Sequence, residues 1–412
     1  MALPRVCDWL AVPADHPFGL QTLPYGSFSD ARHPARTRVG VAIGDRVLDL
    51  SAAAGRLLAG RAADFSSGSL DAFLAAGGGA WAHVRAELTN WLSQDSYRSA
   101  IEDLLVPADS VTMHLPFTVA DYVDFYASQQ HATNVGRIFR PDGEPLTPNW
   151  KYLPIGYHGR SGTVVVSGTP IRRPCGQSRP AGSAAPAYGP CARLDFEAEL
   201  GFVVGVPSTF GERVPAQRFA EHVFGVCLVN DWSARDIQGW ETVPLGPFLG
   251  KSFGTTVSPW IVPLAALEGV RVRPPSLDTE LADYLADSGN WGLDIDFEVR
   301  INGQVVSRPP FRTMHWSAAQ MLAHLTVNGA CLRTGDLFAS GTISGPERDQ
   351  YGSLIELGWA GQNPLTLADG SSRSWLEDGD EVVITASAPG PDGTRIGFGD
   401  ARGQITPAMP GC

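Results

Sequence analysis

Residues 193–205 read RLDFEAELGFVVG. Every second position from Leu194 is apolar (Leu194, Phe196, Ala198, Leu200, Phe202, Val204), and the alternate positions open with three acids, Asp195, Glu197 and Glu199. A period of two is the mark of a strand, whose side chains project alternately to opposite faces. The segment therefore demands a sheet with one apolar face and one carboxylate-bearing face. Carboxylates two residues apart on a strand lie about 6 to 7 Å from each other. They repel by about 0.6 kcal/mol in water, but by about 2.5 kcal/mol at an effective dielectric near 20. A wet outer face tolerates the ladder; an enclosed one needs a cation or a proton. This segment alone leaves both readings open.

The chain has 412 residues, enough for two or three domains of about 100 to 200 residues each. Its 43% hydrophobic and 18% charged content argues against disorder, and 46 Gly with 32 Pro implies the many turns of a β-rich fold. With 31 basic against 43 acidic residues the net charge is -12, which disfavours nucleic acid and anionic membrane as partners. Six cysteines (Cys7, Cys175, Cys191, Cys227, Cys331, Cys412) show no CxxC pair, which argues against a disulfide framework and a zinc site and favours a reducing compartment. The opening MALPRVCDWLAVPADHPFG has no apolar run behind a basic start, and no segment nears the ~20 apolar residues of a membrane span. A cytoplasmic protein is expected.

Two short β-like runs flank Gly44-Asp45 within residues 38–50 and predict a hairpin. Helical spacing follows over 70–105, where Trp81, Val84, Leu88 and Leu92 line one face of AWAHVRAELTNWL. Near 107–116 the texture changes to strands, Gly and Pro, which sets the expected boundary between domains at 1–115 and 116–412. Strand candidates then fall at 162–166, 194–206, 223–230, 293–302, 337–340 and 381–387. Few helix-length patterns separate them, so the expected class is mainly β (α+β), with an antiparallel sandwich or roll as the larger part.

Chemistry-bearing residues gather at strand ends. DYVDFYASQQHATNVG, 121–136, begins as a strand with Tyr122, Asp124 and Tyr126 on one face, then enters a helix capped by Ser128. That places His131 in the first helical turn, near Asp124 and Tyr126. In VNDWSARDIQGWE, 229–241, Asp231 ends an apolar strand, Ser233 with Asp236 forms an expected capping pair, and Arg235 and Gln238 share a helix face. GPFLGKSFGTT, 246–256, has one residue too few between its glycines for a phosphate loop, leaving Lys251 as a surface lysine or an anion-stabilising cation. No GxSxG, HExxH or GxGxxG motif supports a serine hydrolase, a zincin or a dinucleotide enzyme. The remaining oxygen donors, Asp124, Glu197, Glu199 and Asp231, suit Ca²⁺ or Mg²⁺ far better than zinc.

Together HATNVG, PIGYHGR, VVSGTPIRRP, LDFEAELGF, NDWSARDIQ, PLGPFLGKSFGTT, GDLFASGTISGP, GSLIELGW and DGDEVVITA resemble the fumarylacetoacetase family, and HPFGLQTLPYGSF, 16–28, resembles that family's N-terminal domain. The resemblance implies a small N-terminal SH3-like barrel, a larger C-terminal mixed β-sandwich roll and a homodimer. It implies Ca²⁺ on Asp124, Glu197, Glu199 and Asp231, with Mg²⁺ bordered by Asp231, Lys251 and Thr255. His131 matches the base and Glu356 its orienting carboxylate. Arg235, Gln238 and Lys251 match oxyanion donors; Tyr126, Arg140, Tyr157, Gln238 and Thr342 match substrate contacts. One departure is Thr242, where the family usually has tyrosine. The implied reaction is cleavage of the carbon-carbon bond of an oxo acid, 4-fumarylacetoacetate, the last step of tyrosine and phenylalanine breakdown. Alternatives are a related acylpyruvase, decarboxylase or isomerase, or a metal- or carboxylate-binding protein without turnover.

Overall fold

The computed structural model describes residues 4–180, 182–275, 279–287 and 289–412. One large mixed sheet organises it. In spatial order the main path runs Leu105–Pro107, Arg46–Asp49, His33–Ile43, Tyr25–Asp30, Trp260–Pro263, Val223–Asp231, Ala198–Val204, Asp336–Ala339, Asp121–Phe125 and Gly156–His158. The His33–Ile43 and Arg46–Asp49 strands form the expected hairpin, turned at Gly44, whose φ of 55° suits glycine.

The sheet overturns the expected N-terminal barrel. Among the described residues no sheet closes on itself, and the N-terminal strands lie in an open path that continues into the larger part through Tyr25↔Ile261 and Gly26↔Trp260. The chain is also not mainly β: helix takes about 28% of it and strand about 30%, a mixed α/β content. The larger part contributes its own helices, Gln129–Phe139, Arg235–Glu241 and Ala318–Thr326 among them.

A five-stranded sheet of Gln304–Ser307, Asp296–Ile301, Glu381–Pro389, Arg395–Thr406 and Ile171–Arg172 covers one face of the large sheet. Val226 and Leu228 meet Val382, Ile384, Phe398 and Ala401 in the core between them. The other face is covered by the N-terminal helices. Val84, Leu88, Trp91 and Leu92 of Gly78–Ser93 share a second core with Val203, Phe224, Val229 and Ile261. Both faces of the central strands are consequently buried: all nine residues of Val223–Asp231 are, and all seven of Ala198–Val204. The wet face that would have accommodated the acidic ladder does not exist.

Cys175 and Cys412 are joined as a disulfide with a Cα–Cα separation of 6.1 Å, a pairing their distant spacing did not suggest. Cys7, Cys191, Cys227 and Cys331 are free. No helix among the described residues is long and apolar enough to cross a membrane.

Candidate metal centre and histidine site

The acidic ladder is not one continuous strand. Pairing breaks after Asp195 and resumes at Ala198; between them Asn230 Oδ1 accepts from the Glu197 amide at 3.1 Å, and Glu197 bridges to Ser353. The break and the neighbouring strands bring four carboxylates together. Asp124 comes from Asp121–Phe125, Glu197 from the break, Glu199 from Ala198–Val204 and Asp231 from the end of Val223–Asp231. One ligand atom of each lies within 4.8 Å of the others, and all four side chains are buried.

The cluster is short of positive charge. Lys251 donates its ammonium to Asp231 Oδ2 at 2.6 Å and to Glu197 Oε2, while Arg235 donates to Glu197 Oε1 at 2.6 Å. Asp124 Oδ1 and Glu199 Oε1 are buried with no hydrogen-bond partner among the described residues. An unpaired buried carboxylate oxygen is costly. Burial first, then the Asp231 charge, pushes the Asp124 carboxyl well above its usual range; burial, then Asp124 and Asp231, does the same to Glu199. Burial opposes ionisation of Glu197 too, but Arg235, Lys251 and His131 hold it well below that range. An all-oxygen set with two orphaned acceptors fits a hard divalent cation.

Around this cluster Thr255 Oγ1 donates to Asp231 Oδ1 at 3.1 Å, and the Tyr157 hydroxyl donates to Asp231 Oδ2 at 3.2 Å. Tyr157 sits opposite Asp124 across paired strands. The Gly341 amide donates to Glu199 Oε2 at 3.2 Å.

His131 stands at the edge of the same pocket. The Ser128 hydroxyl accepts from its amide at 3.3 Å, the cap expected from sequence, and directs the ring inward. His131 Nδ1 meets Glu356 Oε2 at 2.7 Å, and Nε2 lies 3.9 Å from Glu197 Oε1. Burial opposes ionisation of Glu356, yet His131, Ser353 and Asn134 hold its carboxyl below the usual range. A carboxylate can only accept, so Nδ1 carries the proton shared with Glu356, and Nε2 faces the pocket. Tyr126 packs edge-on against the imidazole, with centroids 5.3 Å apart.

Arg235 Nη1 donates to Gln238 Oε1 at 3.3 Å, which fixes the amide beside the guanidinium. Thr342 is buried on the turn after Asp336–Ala339. Arg140 is not drawn into the cluster: it is exposed and donates to the Pro145 carbonyl at 2.6 Å. The Ser233 and Asp236 pair makes no cap. Ser233 turns to the Asp231 carbonyl, and Asp236 accepts from the Ala192 amide and the Cys191 thiol. Thr242 Oγ1 bonds back to the Gln238 carbonyl at 2.6 Å within its own helix.

Three polar groups around Glu356 escaped the sequence reading. Asn134 Nδ2 donates to Oε1 at 3.0 Å, and Ser344 and Ser353 donate to Oε2 at 3.0 and 2.6 Å. Asn134 was within reach, because it follows His131 by three residues on one helix face. Ser344 and Ser353 carry no local signal.

An imidazole held by a buried carboxylate and facing an oxygen-only metal pocket defines a metal-dependent hydrolytic centre. Family models agree: Fumarylacetoacetase N-terminal matches residues 21–116, and Fumarylacetoacetate (FAA) hydrolase C-terminal matches 121–406. The chain belongs to the fumarylacetoacetase family. It is 48% identical to the human fumarylacetoacetase over 417 residues, covering 98% of this chain and 99% of that one. Against the fumarylacetoacetase of Oryza sativa subsp. japonica the identity is 45%, covering 97% and 96%. The fold is also that of fumarylacetoacetate hydrolase from Exiguobacterium antarcticum, with a TM-score of 0.53, 18% identity and coverage of 94% and 100%.

Proposed function

We propose that the chain hydrolyses 4-fumarylacetoacetate to fumarate and acetoacetate, completing tyrosine and phenylalanine breakdown. The observation that carries this reading is the His131–Glu356 pair, whose free Nε2 opens onto the four-carboxylate pocket. His131 Nε2 takes a proton from water, and the resulting hydroxide attacks the carbonyl carbon of the fumaryl group. Arg235, Gln238 and Lys251 supply the donors beside the new oxyanion, an effect worth roughly 3 to 4 kcal/mol for one donor in a preorganised site. The oxyanion then collapses, the carbon-carbon bond breaks, and its electron pair leaves with the acetoacetate carbon. His131 returns the proton to that carbon. Asp124, Glu197, Glu199 and Asp231 would hold a Ca²⁺, with Asp231, Thr255 and the Lys251 backbone carbonyl bordering a Mg²⁺; a bound divalent ion supplies Lewis acidity to the diketone.

Tyr126, Tyr157, Gln238 and Thr342 line the route to His131, and Arg140 binds the terminal carboxylate after releasing the Pro145 carbonyl. Exposed Val243, Leu245, Phe248 and Leu249 form an apolar stretch beside the site, which supports a homodimer. Sedimentation velocity checks the dimer; a monomer at micromolar concentration excludes it.

The direct test of function is loss of the diketone absorbance of fumarylacetoacetate on mixing with the protein, with and without chelator. Turnover that stops on chelation and returns with Ca²⁺ or Mg²⁺ is expected. No turnover with both ions present sinks the reading.

A further inference from the structure

Asp195, the first rung of the acidic ladder, lies outside the metal cluster, yet its side chain is fully buried. All of its acceptor capacity is directed elsewhere. Oδ1 accepts from the Phe196 amide at 2.8 Å and the Leu354 amide at 2.7 Å. Oδ2 accepts from the Ile355 amide at 3.1 Å and from Arg235 Nε at 2.8 Å.

Apart from the amide of its neighbour Phe196, these donors belong to two parts of the site. Leu354 and Ile355 open the short helix Leu354–Leu357, which carries Glu356 and through it His131. Asp195 binds the free amides of that helix's first turn, where no backbone carbonyl is available to them. Backbone contacts add to the join, since Glu197 bridges to Ser353 and the Ala198 amide donates to Gly352. The other arm is Arg235. With Nε held by Asp195, its Nη2 is aimed at Glu197 and its Nη1 at Gln238.

We propose that Asp195 is a positioning residue that fixes the Glu356-bearing helix and the Arg235 guanidinium relative to one another, and so sets the distance between the base and the oxyanion donors. It touches neither substrate nor metal. A carboxylate suits the task because it presents only acceptors, and all four groups facing it are donors. Asparagine keeps the shape but turns an NH₂ toward one pair of those donors.

The catalytic part of this proposal rests on the hydrolase reading above, and the test separates the two. Wild-type turnover is measured first and decides the reading. D195N, R235Q and the double variant are then compared. D195N should lower kcat about 10- to 100-fold, move KM less than about 3-fold and leave bound divalent metal at wild-type stoichiometry. The double variant should lose less than the product of the two single losses, because both changes disable the Arg235 arm, yet be slower than R235Q alone, because only D195N also frees the Glu356-bearing helix. Wild-type kcat in D195N, or losses that multiply in the double variant, overturns the proposal.

One readout does not need turnover. In folded D195N the far-downfield proton resonance of His131 Nδ1–H should shift or broaden; an unchanged resonance also overturns the proposal. Should D195N fail to fold, D195A is assayed with formate as a replacement carboxylate. Recovery of kcat with formate and not with chloride is expected, and no recovery is the contrary result.

Discussion

His131 Nδ1 lies 2.7 Å from Glu356 Oε2, and neither side chain is open to solvent. That contact fixes which imidazole nitrogen faces the reaction. His131→Ala should lower kcat by about 10²- to 10⁴-fold. Glu356→Gln can present an NH₂ to Nδ1 and favour the opposite tautomer, so it should also cost activity while leaving metal content unchanged. Steady-state kinetics with metal analysis checks both, and full activity in Glu356→Gln removes the orienting role.

Glu199 and Asp124 each hold a buried oxygen that no donor among the described residues satisfies. A divalent ion that binds there stabilises the folded state by mass action, about 2.7 kcal/mol at a hundredfold excess over its Kd. Melting curves should therefore shift upward with added Ca²⁺ or Mg²⁺ in the wild type and not in Glu199→Ala. An equal shift in both proteins would place the ion elsewhere.

Gly341 has a φ of 76°, and a Cβ added there would stand 2.1 Å from the Phe125 carbonyl oxygen. Its amide is also the donor to Glu199 Oε2. Gly341→Ala must push apart the turn and the strand that carries Asp124. Metal affinity measured by calorimetry should fall at least about tenfold, or about 1.4 kcal/mol; unchanged affinity contradicts the tight fit.

Phe224 packs against Tyr25, Phe73 and Trp81, with ring centroids 5.2 to 5.5 Å apart. This aromatic cluster ties the N-terminal helices to the central sheet. Phe224→Ala should cost about 3 to 5 kcal/mol in denaturant unfolding and speed proteolysis of the N-terminal region. A loss below about 1 kcal/mol would mean that the cluster adds little.

Asp380 accepts from Arg373, Asn302 and the Glu377 amide. Burial opposes its ionisation, but these donors, Arg373 foremost, leave its carboxyl below the usual aspartate value. A depressed folded pKa gives stability that is present above the unfolded value of about 3.9 and lost as pH falls through the folded one. The Tm difference between wild type and Asp380→Asn should accordingly be full at pH 7 and narrow below about pH 4. A difference independent of pH contradicts the linkage.

Local chemistry was legible in the sequence. Ser128 caps the His131 helix as its position suggests, and Gly44-Asp45 turns its hairpin, because both depend on neighbours a few residues away. What failed depends on distant partners. Period two in 194–204 could not reveal that Asn230 and Ser353 break the strand at Glu197, nor that helices bury its second face. Asp236 has the spacing of a cap but is taken by Ala192 and Cys191. Barrel closure was an inference from resemblance, and strand patterns carry no information on whether a sheet closes. Asp195 looked like Glu197 and Glu199 by alternation; only the approach of Leu354 and Ile355 distinguishes it.

The pairing of Tyr25 with Ile261 also has a bearing on how the chain acquires its structure. The strand Tyr25–Asp30 cannot complete its hydrogen bonding on that side until the segment Trp260–Pro263 has been made, and closing so long a loop costs entropy before any contact rewards it. During synthesis the N-terminal hairpin waits with an open edge that a neighbouring nascent chain can also pair with. Folding yield should thus depend more steeply on concentration and chaperone supply than the stability of the finished protein suggests.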